Sequence, residues 1–481
     1  MIRDSEGDHN GWFTLPDGRN ASGTLSLASN SSPSVSLHPD VPTPIGPEGA
    51  CFPVDSAAEE LVGHLHSRTE VIIGDVHLSE WPLDQFYASG RWALIGLSIT
   101  QVPHGRWTSL NLRATGLECL LGNAISATSW PSGVDTRPLR YAADLNADAE
   151  FLSSADGVTM TAAYDTTFSM ADPYRFNVSN YATVTLVAAA PLTVDEWVRG
   201  WIDPLLGLLG LATGERERIN TITLAAPAAR INERAGPVPA EITGHLFGGA
   251  IHQRDQPAER RTRPDGTPVV PLFTLDNAPP LATLVQTWQA TLVDEAAPSL
   301  YRLAIDPTLP SHVRFLLCAQ ALEALDSGIH STEEEAGDAA HAERRAVAVA
   351  AVKKLPNDCL DAATKHFISD NLSRPPYPAL ASRLHRLITD VPDHKTRTAA
   401  WMEQTEALAA ELDRAGRTVN PLHELLASAR NALSHGAIIP GNAVAPATRI
   451  LQTLLRGQLL GRLRFAQDQL ATAYDRMARE A

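Results

Sequence analysis

Hydrophobic and polar positions change their rhythm once along the chain, near residue 275. Before that point, short runs of β-branched, aromatic and other apolar residues are bounded by Gly, Pro and Asp, which is typical of strands. We predict strands over residues 71–78, 92–100, 107–114, 182–189 and 221–226. The Pro- and Ser-rich stretch 30–53 is predicted to be a loop. Many short strands with frequent turns predict a β-sandwich or a strongly bent antiparallel sheet.

One helix is predicted inside this β-rich region, near residues 193–213. Thr193 is placed as its N-cap, and Glu196, three residues on, completes a capping-box pattern. Apolar residues follow at helical spacing, namely Trp197, Trp201, Leu205 and Leu208. We expect this stripe to pack into the core and not on a membrane surface.

After residue 280 the period is helical almost throughout. Helices are predicted over residues 281–304, 311–325, 339–355, 358–372, 379–389, 397–415, 421–435 and 445–479. The acidic segment 331–338 is predicted to be an exposed loop. Short connections between these helices predict an up-and-down bundle.

The predicted fold class is therefore α+β with more than one domain. We expect a flexible N-terminus over residues 1–8, a β-rich, sandwich-like domain over 9–275, and an all-α bundle over 280–481.

Composition narrows the possible functions. The chain has 481 residues and a net charge of −16, which argues against a bulk electrostatic grip on nucleic acid but permits a local basic groove. The longest apolar run, residues 205–212, is too short to span a bilayer, and the polar first ten residues lack a signal-peptide pattern. Four scattered cysteines without CxxC spacing predict reduced, mostly buried thiols. We therefore expect a cytoplasmic protein with no membrane partner and no bound metal.

The predicted helix 421–435 carries the most informative polar groups. At about 100° per residue, one stripe contains the apolar positions Leu422, Leu425, Leu426, Ala429 and Leu433. Arg430, Asn431 and His435 fall off that stripe, and Asn431 lies one turn before His435. Gly436 then ends the helix. The predicted helix thus carries a cation, an amide and an imidazole on its polar side.

These three groups suit cleavage of a phosphodiester. Arginine can bind a phosphate with two hydrogen bonds and stabilise developing charge, and histidine can act as a general base or acid. A helix C-terminus favours the imidazolium form, which suits His435 for donating a proton to the leaving oxygen. Asn431 can orient the imidazole or a phosphate oxygen. In RNA the 2′-hydroxyl is the nucleophile, so this chemistry needs neither a metal nor a cofactor. The alternative interpretation is that Arg430 and His435 are surface residues that bind the last helical carbonyls.

The hexapeptide Arg430-Asn431-Ala432-Leu433-Ser434-His435 resembles the R-N-x-x-x-H signature of HEPN domains, which are helical bundles and often metal-independent ribonucleases. Residues 314–324 resemble an early helix of the ApeA-like HEPN subfamily of antiphage proteins. Residues 11–16, 23–25 and 92–96 resemble parts of the β-rich N-terminal domain of that subfamily. The three kinds of match occur in the family order and extend over nearly the whole chain.

The resemblance implies a bacterial endoribonuclease of abortive infection, with Arg430, Asn431 and His435 as its catalytic residues. It also implies that the RNA substrate is cleaved at a homodimer interface, because one Arg-Asn-His set is incomplete. The β-rich domain is expected to sense a phage-derived trigger or to restrain activity. Glu323 is placed near the site on a facing helix, but it fits a helix cap or an arginine pair equally well, so it is left out of the predicted site.

Other interpretations remain open. The chain could be a non-catalytic HEPN binding module whose β-domain recognises a ligand or carbohydrate, with Trp12, Trp81, Trp92 and Trp107 as a stacking platform or as core residues. It could also be a glycan-processing enzyme, although no paired carboxylates support that. Two further features are expected to be structural or exposed: His64 with His66, and the arginine-rich segment 254–264.

Overall fold

In the computed structural model, the described residues are 7–16, 18–27, 32–39, 56–81, 85–122, 125–129, 142–145, 151–172, 175–227, 241–248, 270–356, 359–371, 379–416 and 421–480. Their contacts divide the chain into two compact units, residues 1–289 and 290–481. We call them the β-unit and the helical unit. A sheet-rich N-terminal region followed by a helical C-terminal region is thereby confirmed.

The β-unit is built on antiparallel strands. The strands are β1 (Gly7–Thr14), β2 (Asn20–Leu27), β3 (Ser34–Pro39), β4 (Ser56–Leu65), β5 (Glu70–Trp81), β6 (Gln85–Ser89), β7 (Trp92–Gly96), β8 (Arg106–Ala114), β9 (Ile125–Ser129), β10 (Ala142–Leu145), β11 (Phe151–Ala155), β12 (Val158–Asp172), β13 (Arg175–Thr193), β14 (Ile219–Pro227) and β15 (Glu241–Gly248). All five predicted strand segments contain observed strands. Residues 97–100 are an exception, because β7 ends at Gly96 and a 3-10 turn begins at Ile99.

Thirteen of these strands form one sheet, in the order β11-β12-β13-β8-β14-β15-β7-β5-β4-β1-β2-β3-β6, and β6 also pairs with β5. The last pairing closes a ring of six strands, β5-β4-β1-β2-β3-β6. The other seven strands continue from β5 as an open sheet, and β9 pairs with β10 separately. A β-rich domain is therefore correct, but its first part is a closed ring and not a sandwich.

Strand β5 belongs to both parts of the sheet. Along one edge it pairs with β4, and along the other it pairs first with β7 over Glu70–Gly74 and then with β6 over His77–Trp81. Asp75 lies between these two stretches with a left-handed φ of 57°. On this second edge, β5 therefore changes its partner at Asp75, from β7 of the open sheet to β6 of the ring.

The interior of the ring is apolar because the strands alternate inward apolar and outward polar residues. Side chains such as Phe13, Leu25, Val35, Leu61 and Ile73 are 0–1% exposed and form one core cluster. Strand β3 lies within the stretch predicted to be a loop, so that prediction was wrong for Ser34–Pro39. Its alternating Val35 and Leu37 pack into the ring core.

Three helices accompany the open sheet: α1 (Leu117–Leu121), α2 (Val194–Trp197) and α3 (Asp203–Thr213), the last two joined by the π-helical turn Val198–Ile202. The predicted capping box is confirmed, since the Glu196 amide donates to Thr193 Oγ1 at 3.2 Å and the Thr193 amide donates to Glu196 Oε2 at 2.7 Å. The backbone hydrogen bond from Thr193 holds the pKa of Glu196 below its ordinary value. The predicted apolar stripe is buried, and Trp197 Nε1 donates to the Trp107 carbonyl at 3.2 Å.

The helical region contains α4 (Leu281–Asp294), α5 (Ala297–Ala304), α6 (Ser311–Ile329), α7 (Ser331–Lys354), α8 (Ala362–Asn371), α9 (Leu380–Thr389), α10 (His394–Gln404), α11 (Glu406–Arg414), α12 (Leu422–Ser434), α13 (Gly441–Arg462) and α14 (Gln467–Glu480). Helix α7 includes the acidic segment predicted to be a loop, so that prediction was wrong. Its Ala-rich continuation has high helix propensity. The predicted final helix is two helices, which meet near Arg464, where φ is 64°.

The two predicted domain boundaries also differ from the observed ones. Strand β1 begins at Gly7, inside the stretch 1–8 predicted to be flexible. The division between the units lies within α4 and not in a linker at 275–280. The first part of α4 belongs to the β-unit because Trp288, which is 0% exposed, packs against Gly207 of α3.

Candidate active site

Helix α12 is held in the helical unit by one apolar face. Leu422, Leu425, Leu426 and Ala429 are buried, as predicted, whereas Leu433 is only half-buried and Ala432 takes the buried position beside it. This face contacts α9 and α6. The opposite side of α12 therefore lies toward solvent near its C-terminus.

The end of α12 is a Schellman motif. The Ala437 amide donates to the Ala432 carbonyl at 2.9 Å, and the Gly436 amide donates to the Leu433 carbonyl at 3.1 Å. Gly436 takes the left-handed φ of 79° that this motif requires, which confirms the predicted stop. His435 is the C-cap residue, with φ −96° and ψ 16°, and its side chain is exposed. The motif fixes the backbone from which the imidazole projects.

Arg430 and Asn431 lie just before this end. The side chain of Arg430 is 30% exposed, and Asn431 is exposed. One terminal guanidinium nitrogen of Arg430, Nη1, donates to Asn431 Oδ1 at 3.4 Å. Among the described residues, no hydrogen bond or ion pair joins the His435 imidazole to either of them. Asn431 therefore contacts the predicted cation within one chain and not the imidazole.

Glu323 is the residue that sequence reasoning placed nearby but left out of the site. It lies on α6, and its Oε2 accepts from Arg430 Nη2 at 3.3 Å. The carboxylate side chain is 30% exposed, like its partner, so water reaches both. Arginine has five N–H donors, so Arg430 keeps donors for a further acceptor while Glu323 holds it.

A buried ion-pair network fixes α6 beside α9. Asp326 of α6 is 0% exposed and accepts from Arg386 Nε at 3.1 Å, and a second oxygen pairs with Arg386 and, at 3.5 Å, with Arg383. Arg383 also donates to the Glu323 carbonyl at 3.2 Å. The sequence analysis missed this network, although an aspartate one position after the buried Leu325 was a signal of it. The network therefore holds α6, the helix that carries Glu323, in position against α9.

Helices α9 and α12 also meet at a pair of histidines. The rings of His385 and His423 have centroids 4.7 Å apart. Burial and the neighbouring His385 lower the pKa of His423, although Glu424 opposes the shift. Because His423 lies at the first turn of α12 and His435 at its end, this pair is about 18 Å along the helix from the predicted imidazole.

The other candidate residues do not form a competing site. His64 and His66 are exposed, and no cluster of metal-ligating side chains occurs within the described ranges. Trp92 and Trp107 are buried, whereas Trp12 is 46% exposed. The side chain of Trp81, the arginine-rich segment 254–264 and Cys51 lie outside the described residues.

The remaining cysteines differ in exposure. Cys318 is buried, and burial raises its pKa to about 12, whereas Cys119 is half-buried and Cys359 is exposed. Of the three described cysteines, Cys318 alone fits the prediction of mostly buried thiols. No helix in the part of the chain that the structure describes is long and apolar enough to cross a membrane.

No family model, no curated protein and no solved structure matches this chain.

Proposed function

We propose that this protein is a metal-independent endoribonuclease of the HEPN type, with Arg430, Asn431 and His435 as its catalytic residues. One observation carries the proposal: a carboxylate on α6 holds the guanidinium of Arg430 beside exposed Asn431, one turn before the exposed His435 at a fixed helix end. The hexapeptide that resembles the HEPN signature supports the same assignment.

The chemistry follows from these groups. The 2′-hydroxyl of the substrate attacks the adjacent phosphorus, the bond to the 5′-oxygen breaks, and the products are a 2′,3′-cyclic phosphate and a 5′-hydroxyl. Arg430 stabilises the negative charge that develops on the phosphoryl oxygens. His435 moves a proton, as the base for the 2′-hydroxyl or the acid for the leaving oxygen.

Two copies of the chain are part of this proposal. One imidazole cannot be both base and acid in a single step, and the exposed His435 makes no hydrogen bond to Arg430 or Asn431 among the described residues. A two-fold axis near the end of α12 would bring a second His435 to the first set. Glu323 is a positioning residue here, because it acts through Arg430.

RNA cleavage by the full-length protein tests the proposal. We expect His435→Ala and Arg430→Ala each to lower the cleavage rate by about 10²-fold or more. His312→Ala, which removes an exposed histidine from the start of α6, should keep full activity. Cleavage should persist in chelator and leave cyclic phosphate ends. Equal activity of His435→Ala and His312→Ala would overturn the assignment.

Glu323 can be tested separately as a positioning residue. In Glu323→Gln the new amide oxygen can still accept a hydrogen bond from Arg430, but the negative charge of the carboxylate is lost. We therefore expect a changed KM with a smaller change in kcat. Glu323→Ala should lower kcat as well, because Arg430 is no longer held. If both variants match the parent in KM and kcat, Glu323 has no part in the site.

The biological role that we propose is antiphage defence, with the β-unit as a sensor of a phage-derived trigger or a restraint. A cell that carries the gene should resist phages that a His435→Ala strain does not resist. If cleavage is absent in every condition while the β-unit binds a glycan or other ligand, the alternative of a non-catalytic binding module is favoured, with exposed Trp12 as its first contact to test.

A further inference from the structure

A groove runs along helix α7 on the side that faces α8, and none of the residues of the proposed active site lines it. Its volume is about 600 Å³. Helix α7 contributes most of its lining, including His341, Arg345, Val349 and Lys353, and α8 contributes Ser369. The proposed ribonuclease chemistry assigns no role to these residues.

Four residues of α7 that line the groove repeat with a regular spacing. His341, Arg345, Val349 and Lys353 are each four residues apart, so they form one continuous row that turns gradually, by about 40° at each step, around the helix. Each step of four residues advances about 6 Å along the axis, and the whole row covers about 18 Å. A step of this size is on the scale of the distance between neighbouring phosphates in an extended sugar–phosphate backbone.

Two nitrogen atoms in this row are buried without a partner. His341 Nε2 and Arg345 Nε have no hydrogen-bond partner among the described residues. A buried N–H group without a partner is unfavourable, because it has lost its hydrogen bonds to water and gained none in return. An anion in the groove would supply an acceptor to both side chains. The adjacent Arg344 differs, because its Nε donates to the Ala340 carbonyl at 3.3 Å on its own helix.

The charged side chains that line the groove favour an anionic ligand. The chain has a net charge of −16 and only four lysines, at positions 353, 354, 365 and 395. Three of these four lie on α7 and α8, although the two helices together also carry six carboxylates. Within the groove lining, one carboxylate, Asp338, stands against the cations Arg345 and Lys353 and the titratable His341. The local sign of charge is thus opposite to that of the whole chain.

We propose that the groove between α7 and α8 binds the sugar–phosphate backbone of single-stranded RNA. The choice of RNA as the ligand rests on the proposed function. Arg345 and Lys353 bind phosphates two helical turns apart, His341 adds a third contact, and the hydroxyl of Ser369 donates from the facing helix. Ala346 and Val349 form the apolar floor between the cations.

The test uses full-length His435→Ala protein and a fluorescent 2′-O-methyl RNA of twelve nucleotides, which cannot be cleaved by attack of a 2′-hydroxyl. Binding is followed by fluorescence anisotropy over a range of salt concentrations. The test variant adds Arg345→Gln and Lys353→Gln, and the matched control adds Arg344→Gln and Lys354→Gln. Both pairs remove two positive charges from the same helix. Each control residue is the sequence neighbour of a test residue but does not line the groove.

We expect the Arg345/Lys353 variant to bind RNA at least about tenfold more weakly. The slope of the logarithm of the binding constant against the logarithm of the salt concentration should decrease in size by about 1.4, because two phosphate contacts are lost. The control should change affinity less than about threefold. Equal losses in the two variants, or no RNA binding by the parent, would overturn the groove assignment. RNA cleavage and its products are measured in a separate experiment. A failure of the groove assignment is therefore distinguishable from a failure of the ribonuclease proposal.

Inorganic polyphosphate separates RNA from other polyanions. At equal phosphate concentration, we expect it to displace RNA poorly, because it lacks the spacing and the sugars of the backbone. Full displacement at equal concentration would show a general polyanion site and overturn the assignment to RNA.

Discussion

The two units of the chain bury polar groups in different ways. In the β-unit, charged pairs lie at the surface, as with Arg113 and Asp165 at 3.0 Å, whose side chains are 28% and 53% exposed. Its buried carboxylate, Glu217, accepts hydrogen bonds from neutral hydroxyls, including that of Thr213 at 2.6 Å. Neutral hydroxyl donors supply these hydrogen bonds to the buried carboxylate.

The helical unit instead pairs its buried carboxylates with arginines. Asp326 is completely buried and pairs with Arg383, which is 8% exposed, and with Arg386, which is 33% exposed. Glu295, whose side chain is 6% exposed, pairs with Arg462, which is 40% exposed. Buried pairs add little net stability but cost much when one partner is lost, so they fix which helices meet. The difference indicates that the β-unit is stabilised by packing, whereas the helical unit uses charge to set the geometry around α12.

Removing one buried charge should give the largest effect on stability. In Asp326→Asn, Arg383 and Arg386 lose their charged partner, and we expect the helical unit to lose about 3–5 kcal/mol. Asp165→Asn, at the exposed pair of the β-unit, should cost at most about 1 kcal/mol. Chemical denaturation with peptide-resolved hydrogen exchange assigns each loss to its unit. A small loss for Asp326→Asn would show that the network contributes less than its burial indicates.

Adding one methyl group should distinguish the units by packing. The Cβ of Ala at position 74 would lie 2.0 Å from Trp92 Cζ2, so Gly74→Ala should destabilise the β-unit by about 1–3 kcal/mol. Gly461 lies in α13 with open space around it, and Gly461→Ala should stabilise the helical unit by up to about 1 kcal/mol. Thermal unfolding measures both changes. Opposite signs are expected, and a loss at both positions would contradict the comparison.

The smallest effect is expected from pH. Burial lowers the pKa of His245 in the β-unit and of His423 in the helical unit below the ordinary 6.5. Protonation of either histidine therefore favours the unfolded chain. The free energy of unfolding is unaffected by these histidines above about pH 6.5 and falls as the pH drops from 6.5 toward their lower pKa values in the folded state.

We expect His423→Gln to reduce the acid sensitivity of the helical unit and His245→Gln that of the β-unit. His312→Gln should change neither. The measurement is the free energy of unfolding between pH 7 and pH 5. An unchanged slope in His423→Gln would mean that other groups control the acid response.

Local patterns predicted the strands and helices, but not the partners of the strands. The alternation in residues 107–114 was enough to find β8. Strand β3 was missed because Pro and Ser dominate residues 30–53, although Val35 and Leu37 alternate there. Closure of the ring depends on β6 pairing with β3 as well as with β5, its neighbour in the sequence. Strand β3 ends at Pro39 and β6 begins at Gln85, and no local signal encodes a pairing over that separation.

The candidate site shows the same limit. Helical periodicity and Gly436 predicted the exposed end of α12 and the separation of Arg430 from the apolar stripe. Glu323 could not be chosen from sequence, because a carboxylate on another helix fits a cap or an ion pair equally well. Its contact with Arg430 depends on how α6 and α12 pack, and Asp326 sets that packing through α9.

The shared position of strand β5 has a consequence for how the β-unit unfolds and folds. Strand β5 pairs with β4 and β6 of the ring and with β7 of the open sheet. If either part of the sheet unfolds, it takes away hydrogen bonds that hold β5 in the other part. The two should behave as one cooperative foldon, with amides of β5 among the last to exchange. The partners of β5 are also its neighbours in the sequence, within residues 56–96, so these pairings are local and can form early. The pairings that a nascent chain must wait for are those between distant segments, such as β7 with β15.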